Sequence, residues 1–161
     1  MDKPADNKFI FQLNNQSRSA GFFVLYIFCF FALLAASCVF IFTNLNVLLF
    51  ISIVVTLLFI TIFHLYKPSY FELLVSETSF KINYYSVATA LKNYHTVEIE
   101  HGSFKGFEVR KRYAGLQKQL ILTIGSKLGL ADYPPISISI LSKNELSQVI
   151  TVLTKIKIQE I

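Results

Sequence analysis

From Ser19 to Tyr66 the chain runs for 48 residues without a single Asp, Glu, Lys or Arg. The polar tetrad Thr43-Asn44-Leu45-Asn46 divides that run nearly in half. Each half is long enough to span a bilayer as a helix, which takes about 20 apolar residues. The expectation is a helical hairpin, with helices over about 20–42 and 47–66, between a tail (1–19) and a soluble unit (67–161). An ionisable side chain usually marks a proton relay or ion path within a membrane. No carboxylate, Lys or Arg occurs within the two helices, so transport by this chain alone has no support.

Cysteine is scarce. The two present, Cys29 and Cys38, both fall in the first apolar segment. Nine residues at 100° each put them on opposite faces of one helix, about 13 Å apart along its axis. They can neither bridge each other nor share a metal there. Residues 67–161 contain no Cys, as expected of a reducing compartment. Leu34-Ala35-Ala36-Ser37-Cys38 loosely resembles a lipoprotein cleavage site. The acidic residues in the preceding tail, the apolar run continuing through Phe42 and the second apolar segment all argue against that reading.

Charge is distributed unevenly. The net +5 divides into +1 before Ala20 and +4 after Tyr66, and the loop between the helices carries none. Lys and Arg are retained on the cytoplasmic side of membranes, and here Arg18 and Lys67 flank the outer ends of the hairpin. Both termini are therefore expected in the cytoplasm, with the Asn-rich loop facing out. A basic protein beside anionic headgroups explains the sequence pI near 9.2 better than nucleic acid does. Nucleic-acid binding would need a broader basic field with exposed aromatics in register.

Small residues recur on both apolar segments. Ala32 and Ala36 stand at i, i+4, and Ser52 and Thr56 repeat the spacing, which lets helices approach closely. The simplest use is packing of the two helices on each other; a partner protein or a second copy is the alternative. His64 reads as an interfacial residue, and Pro68 cannot continue the helix.

After Pro68 the apolar period changes to two. Phe71, Leu73 and Val75 alternate, as do Phe80, Ile82 and Tyr84, with Ser76–Ser79 as a turn. Val97 and Ile99 share a face opposite Glu98 and Glu100. Residues 102–106 read as a turn, 107–112 and 120–124 as strands, and 125–135 as a long connection. Ile136, Ile138 and Ile140 alternate with Ser137 and Ser139 as the cleanest strand. Six or seven short strands with turn punctuation give an antiparallel sheet or barrel. Ser142 and Glu145 form a capping box. Leu146, Val149, Ile150, Leu153 and Ile156 then give the last helix an apolar stripe, with Lys155 and Lys157 at its dipole-favoured end. In the tail, Phe9, Phe11 and Leu13 alternate and suit an added edge strand, an interfacial contact or a disordered tail.

The order of elements over residues 20–157 resembles the bacterial membrane proteins in which a two-helix hairpin precedes a pleckstrin-homology-like (PH-like) domain. It includes the opening strand Tyr70–Val75, the Ile136–Ile140 strand and the Ser142–Lys157 helix. The resemblance implies a membrane hairpin plus an α+β domain: a half-open antiparallel barrel capped by one C-terminal amphipathic helix. It also implies a binding or assembly role, commonly without catalysis. Phosphoinositide-binding members carry basic residues in the first hairpin turn. Here that turn, Ser76-Glu77-Thr78-Ser79, is acidic, so inositol-phosphate recognition does not carry over.

No constellation names a chemistry. His95 and His101 would stand about 20 Å apart on one strand and lack the partners of a zinc site. Glu98 and Glu100 are expected to pair across strands with Arg110 and Arg112 rather than act as acid and base. Gly125–Gly129 lacks the spacing of a phosphate loop, and no Gly-x-Ser-x-Gly elbow occurs. The sharpest surface signal is Arg110-Lys111-Arg112-Tyr113, with Lys105 and Lys118, a candidate contact for anionic lipid headgroups. The plainer alternative is a solvated strand paired with Glu98 and Glu100. The leading expectation is a non-catalytic inner-membrane scaffold or accessory subunit, with membrane lipid and a protein partner or second copy as its partners. No cofactor, metal, nucleic acid or small-molecule substrate is expected. The alternatives are a module that reads anionic headgroups and a subunit of a membrane enzyme with a shared site.

Overall fold

The computed structural model describes residues 9–43, 45–87, 93–126 and 129–158. A short strand β1 (Phe11–Asn14) precedes two long helices, α1 (Gln16–Phe42) and α2 (Asn46–Tyr66). Seven strands follow: β2 (Ser69–Val75), β3 (Ser79–Ser86), β4 (His95–Glu100), β5 (Phe104–Arg112), β6 (Gln117–Ser126), β7 (Gly129–Asp132) and β8 (Ile136–Ser137). Helix α3 (Lys143–Ile158) closes the described chain.

Both α1 and α2 are long and apolar enough to cross a membrane. At 1.5 Å per residue they measure about 40 Å and about 31 Å. They pack along one stripe each. Tyr26 stacks on Phe63 with ring centroids 3.7 Å apart, Phe22 stacks on Tyr66 at 5.8 Å, and the Ser37 and Ser52 hydroxyls bond at 2.8 Å. Ser52 is buried and Thr56 half-buried on this seam, and Ala36 lies at its margin. Ala32 is exposed on the outer face, so the expected Ala32/Ala36 seam is replaced by the Ser37–Ser52 bridge. A 100° turn per residue explains the shift: Leu33, Ala36, Ser37 and Phe40 keep the helical period of the stripe set by Tyr26, and Ala32 does not. The outer faces stay bare, with Phe28 71% and Val47 74% exposed. An apolar surface this continuous calls for an apolar surrounding.

The strands form two antiparallel four-stranded sheets rather than one barrel. The first has the order β1-β2-β3-β4; the second is β5-β6-β7, with β8 also on β6. No pairing closes a barrel among the described residues. The chain changes sheets at a 3-10 turn, His101–Ser103, because β5 then pairs with β6 instead of β4. This overturns the expected Glu98/Glu100 pairing with Arg110/Arg112. Glu98 lies opposite Lys81, whereas Arg110 lies opposite Gln119. The turn expected at 102–106 is shorter, and Phe104 enters the core completely buried. The connection expected at 125–135 holds β7, paired to β6 from Thr123 to Ser126.

The segment 136–140 is strand only at Ile136–Ser137, and all five residues are buried. The isoleucines enter the core. The serines are covered by the end of α2: Ser137 Oγ donates to the Lys67 carbonyl (2.6 Å), and the Ser139 carbonyl accepts from Tyr66 (2.8 Å). Alternation here separates two covered faces, not a wet face from a dry one. On α3, Val149, Leu153 and Ile156 are buried and Leu146 and Val152 partly so, whereas Ile150 lies outside the stripe at 36% exposure. Burying each of the three stabilises by roughly 2 kcal/mol.

The N-terminal segment is not a free tail throughout. Leu13 is buried on the core, and β1 pairs with β2 from Phe11↔Val75 to Asn14↔Glu72. The first sheet is thus completed by residues that precede both apolar helices in the chain.

Candidate functional site

The domain meets the helices at one end, and Asn15 is the joint. It stands at the N-cap position of α1, where an Asn side chain ordinarily bonds an amide of the first turn. Here the side chain serves the sheet instead. Its Oδ1 accepts from the Phe71 amide (2.8 Å), and its Nδ2 donates to the Ser69 carbonyl (3.2 Å). The Asn15 amide donates to the Phe71 carbonyl (3.2 Å), and its carbonyl accepts from Ser19 inside α1 (2.8 Å). Asn15 is 2% exposed. One residue therefore ends β1, starts α1 and satisfies the backbone of the first residues of β2.

Three further contacts fix the same end. Arg18 Nη1 lies 3.0 Å from Glu145 Oε2 at the start of α3. That carboxylate also accepts from the Ser142 amide at 2.6 Å while the Glu145 amide donates to Ser142 Oγ at 3.2 Å, completing the expected capping box. Lys67 ends α2 in the left-handed region (φ 46°), its amide donating to the Phe63 carbonyl at 3.3 Å. That bend turns the chain out of α2 and into β2. The Val87 amide donates to the Pro68 carbonyl at 2.9 Å.

Tyrosines gather at this helix-proximal end. Tyr70 stacks on Tyr85, and Tyr94 meets Tyr85 edge-on, both at 4.8 Å between ring centroids. Ser19 of α1, whose hydroxyl donates to the Gln16 carbonyl (2.9 Å), also approaches the Tyr85 hydroxyl. Burial, then the charge and hydrogen bond of Glu72, push the Tyr70 hydroxyl up to about 12. Burial and Tyr94 raise the Tyr85 hydroxyl, against a smaller lowering by Ser19.

The basic group lies at the same end. Antiparallel β5 and β6 pair Lys111 with Lys118 and Arg112 with Gln117 before the chain turns at Tyr113–Gly115. The Lys118 amide donates to Ser139 Oγ at 3.1 Å and its carbonyl accepts from Ile138 at 2.9 Å. Ser139 in turn holds Tyr66. The tip of this hairpin thus extends past a residue that is two hydrogen bonds from the end of α2. Arg110, Lys111 and Arg112 are all exposed. Arg110 donates to both oxygens of Glu108 (3.2 and 2.9 Å), which raises its pKa further. Lys111, Arg112 and Lys118 have no ion pair among the described residues.

Lys105 does not belong to this group. It sits at the start of β5, about 17 Å along the strand from Arg110, and its Nζ donates to the Gly102 carbonyl at 3.0 Å. The histidines stay apart in role as well. His95 stacks on Tyr84 at 5.2 Å. His101 lies at the far end, beside Phe80, its Nε2 buried without a hydrogen-bond partner among the described residues, in a groove with Glu77 and Lys155. Among the described residues no three His, Cys, Asp or Glu side chains group to hold a metal.

Compared with known proteins, the chain matches no family model, no curated protein and no solved structure.

Proposed function

We propose that this chain is a non-catalytic integral membrane scaffold or accessory subunit. In this reading α1 and α2 cross a bacterial inner membrane, both termini lie in the cytoplasm, and a PH-like domain is presented to a protein partner. The supporting observation is the joint. Asn15, Arg18, Tyr66 and Lys67 tie the domain to both helix ends, so that it stands at a fixed height and rotation over the bilayer. A fixed height and rotation suit a surface on which another membrane protein docks. The seven strands after α2, followed by one amphipathic helix, suit a PH-like domain opened into two sheets, with β1 as an addition to the first. Orientation follows from charge: in the sequence the Lys and Arg residues all lie outside the hairpin, up to Arg18 and from Lys67 on, and the loop at 43–46 carries none.

The test is recovery of the tagged full-length protein from its native membrane in mild detergent, with mass spectrometry of what accompanies it. The reading expects a stoichiometric protein partner, or a second copy, whose recovery falls when Asn15→Ala loosens the domain. A lone chain carrying only lipid, unchanged by that substitution, overturns it.

A further inference from the structure

We propose that the β5–β6 tip, residues 110–118, is a second membrane contact, which docks on the anionic headgroups of the bilayer that α1 and α2 cross. This rests on the reading that the two helices span a membrane.

Position is the first argument. Lys118 is bonded to Ser139, and Ser139 to Tyr66, the last residue of α2. Beyond Lys118 the hairpin continues for Gln117↔Arg112 and a turn. If Tyr66 lies at the bilayer boundary, the tip lies in the headgroup layer or on it. Any other occupant would have to share that layer.

Composition is the second. The tip displays Tyr113 at 51% and Leu116 at 43% exposure, flanked by Arg110, Lys111, Arg112 and Lys118. An amphipathic aromatic with basic neighbours is the combination that membrane interfaces select. The acidic turn Ser76–Ser79 stands at the opposite end of β2, away from the helices.

The third argument is energetic. Lys111 and Lys118 are directly opposite each other across the strands, an arrangement that like charges disfavour. The turn holds Tyr113 (φ 50°) and Ala114 (φ 54°) in the left-handed region before Gly115 (φ 90°), which residues with a Cβ adopt rarely. Both features weaken the isolated hairpin. Anionic headgroups between the lysines relieve the first, and the second is what turns Tyr113 outward.

The protein's own lack of Trp supplies the test. Tyr113→Trp introduces a single tryptophan at the tip of the full-length chain, excited apart from the tyrosines at the red edge of their absorption. The protein is placed in lipid nanodiscs of phosphatidylcholine alone or of an equal mixture of phosphatidylcholine and phosphatidylglycerol, with bromine on the upper acyl chain of either lipid. The proposal expects blue-shifted emission and strong bromine quenching in anionic discs. In neutral discs the ratio of bound to free tip should be lower by at least about thirtyfold, the effect of two charges near an anionic leaflet. Salt near 1 M, where the screening length is about 3 Å, should release the tip. Arg110→Glu with Arg112→Glu should lower the bound fraction by about thirtyfold or more. These side chains are exposed, and an unchanged circular dichroism spectrum checks that the variant folds; Lys111→Gln with Lys118→Gln provides a second, milder pair.

A water-like emission, identical in neutral and anionic discs, overturns the proposal. So does quenching that is equal in both discs and indifferent to the charge reversals, which would make the tip a non-selective interfacial contact. Failure of the chain to enter discs at all is a different result: it removes the membrane-spanning reading itself.

Discussion

The two ends of the β domain differ in what they must hold. At the helix-proximal end, Asn15, Tyr66 and Lys67 enter the hydrogen bonding of β2, β8 and the loop before α3. At the far end, the Ser76–Ser79 turn, His101 and the last turns of α3 make no hydrogen bond to either helix among the described residues. The proximal end is rich in tyrosine and basic at its tip, whereas the far end carries the acidic turn and a groove open to solvent. Burial of the core alone would stabilise a domain in any orientation. The asymmetry of polar contacts is what gives this one a top and a bottom.

The comparison breaks most sharply at Asn15. Asn15→Ala leaves the Phe71 amide and the Ser69 carbonyl buried without partners, and the expected loss is about 3 kcal/mol. Denaturant unfolding in detergent measures it. Ser76→Ala, which removes the half-buried turn hydrogen bonds at the far end, should cost about 1 kcal/mol. Equal losses at the two positions would mean that the joint is an ordinary turn.

Glu145→Ala removes both the capping box and the partner of Arg18. A cap is worth about 1 kcal/mol and a partly exposed ion pair less than that, so the expected loss is about 1.5 kcal/mol in thermal unfolding. Most of it should persist at high salt, because the capping bonds are short-range. A loss abolished by salt would assign the effect to the ion pair alone. Within the hairpin, Ser52→Ala removes the bridge to Ser37 at about 0.6 kcal/mol, read as a small fall in unfolding temperature with the domain's own contacts intact.

Tyr70→Phe is the subtlest probe, with its readout at alkaline pH. Burial and Glu72 raise the Tyr70 hydroxyl from 10.0 to about 12 in the fold. Its neutral form is therefore the favoured one, and its contribution is complete below about pH 10 and lost as pH rises toward 12. The wild type should lose stability across that window, and Tyr70→Phe should lose less. Identical alkaline curves would show that the hydroxyl titrates as if exposed. The Ser76–Ser79 turn, His101–Ser103 and α3 hold no tyrosine, so the same titration distinguishes the ends.

Some of this was legible in the residues. The uncharged run gave both helices to within a few residues, because crossing length and charge are global properties of a segment. The strands at Phe71–Val75, Phe80–Tyr84 and Val97–Ile99 follow period two because one face of each is dry. The capping box at Ser142 and Glu145 is local and appears as read. The joint was not legible. The first helix was expected from about residue 20, which left Asn15 in the tail, and only the fold shows its side-chain amide turned to a strand 56 residues away. The alternation of Phe9, Phe11 and Leu13 did point toward an edge strand, without saying which strand it would join. Ile136–Ile140 misled because burial of its serines comes from α2, not from the strand. The basic group was visible at Arg110–Arg112 with Lys105 and Lys118, but β-sheet register set Lys105 apart and placed Lys118 directly opposite Lys111. The change of sheets at His101–Ser103 could not be read from local periodicity, and it removed the expected Glu–Arg pairing.

The central claim is that the N-terminal segment, both helices and the β domain are one unit joined at Asn15. Amide hydrogen exchange on the full-length protein in lipid nanodiscs tests it directly. The account predicts that residues 11–15 and 69–75 are protected alike, and that Asn15→Ala exposes both together while 120–124 stays protected. Exchange of residues 11–15 at the rate of a free tail, with 69–75 still protected, would contradict it.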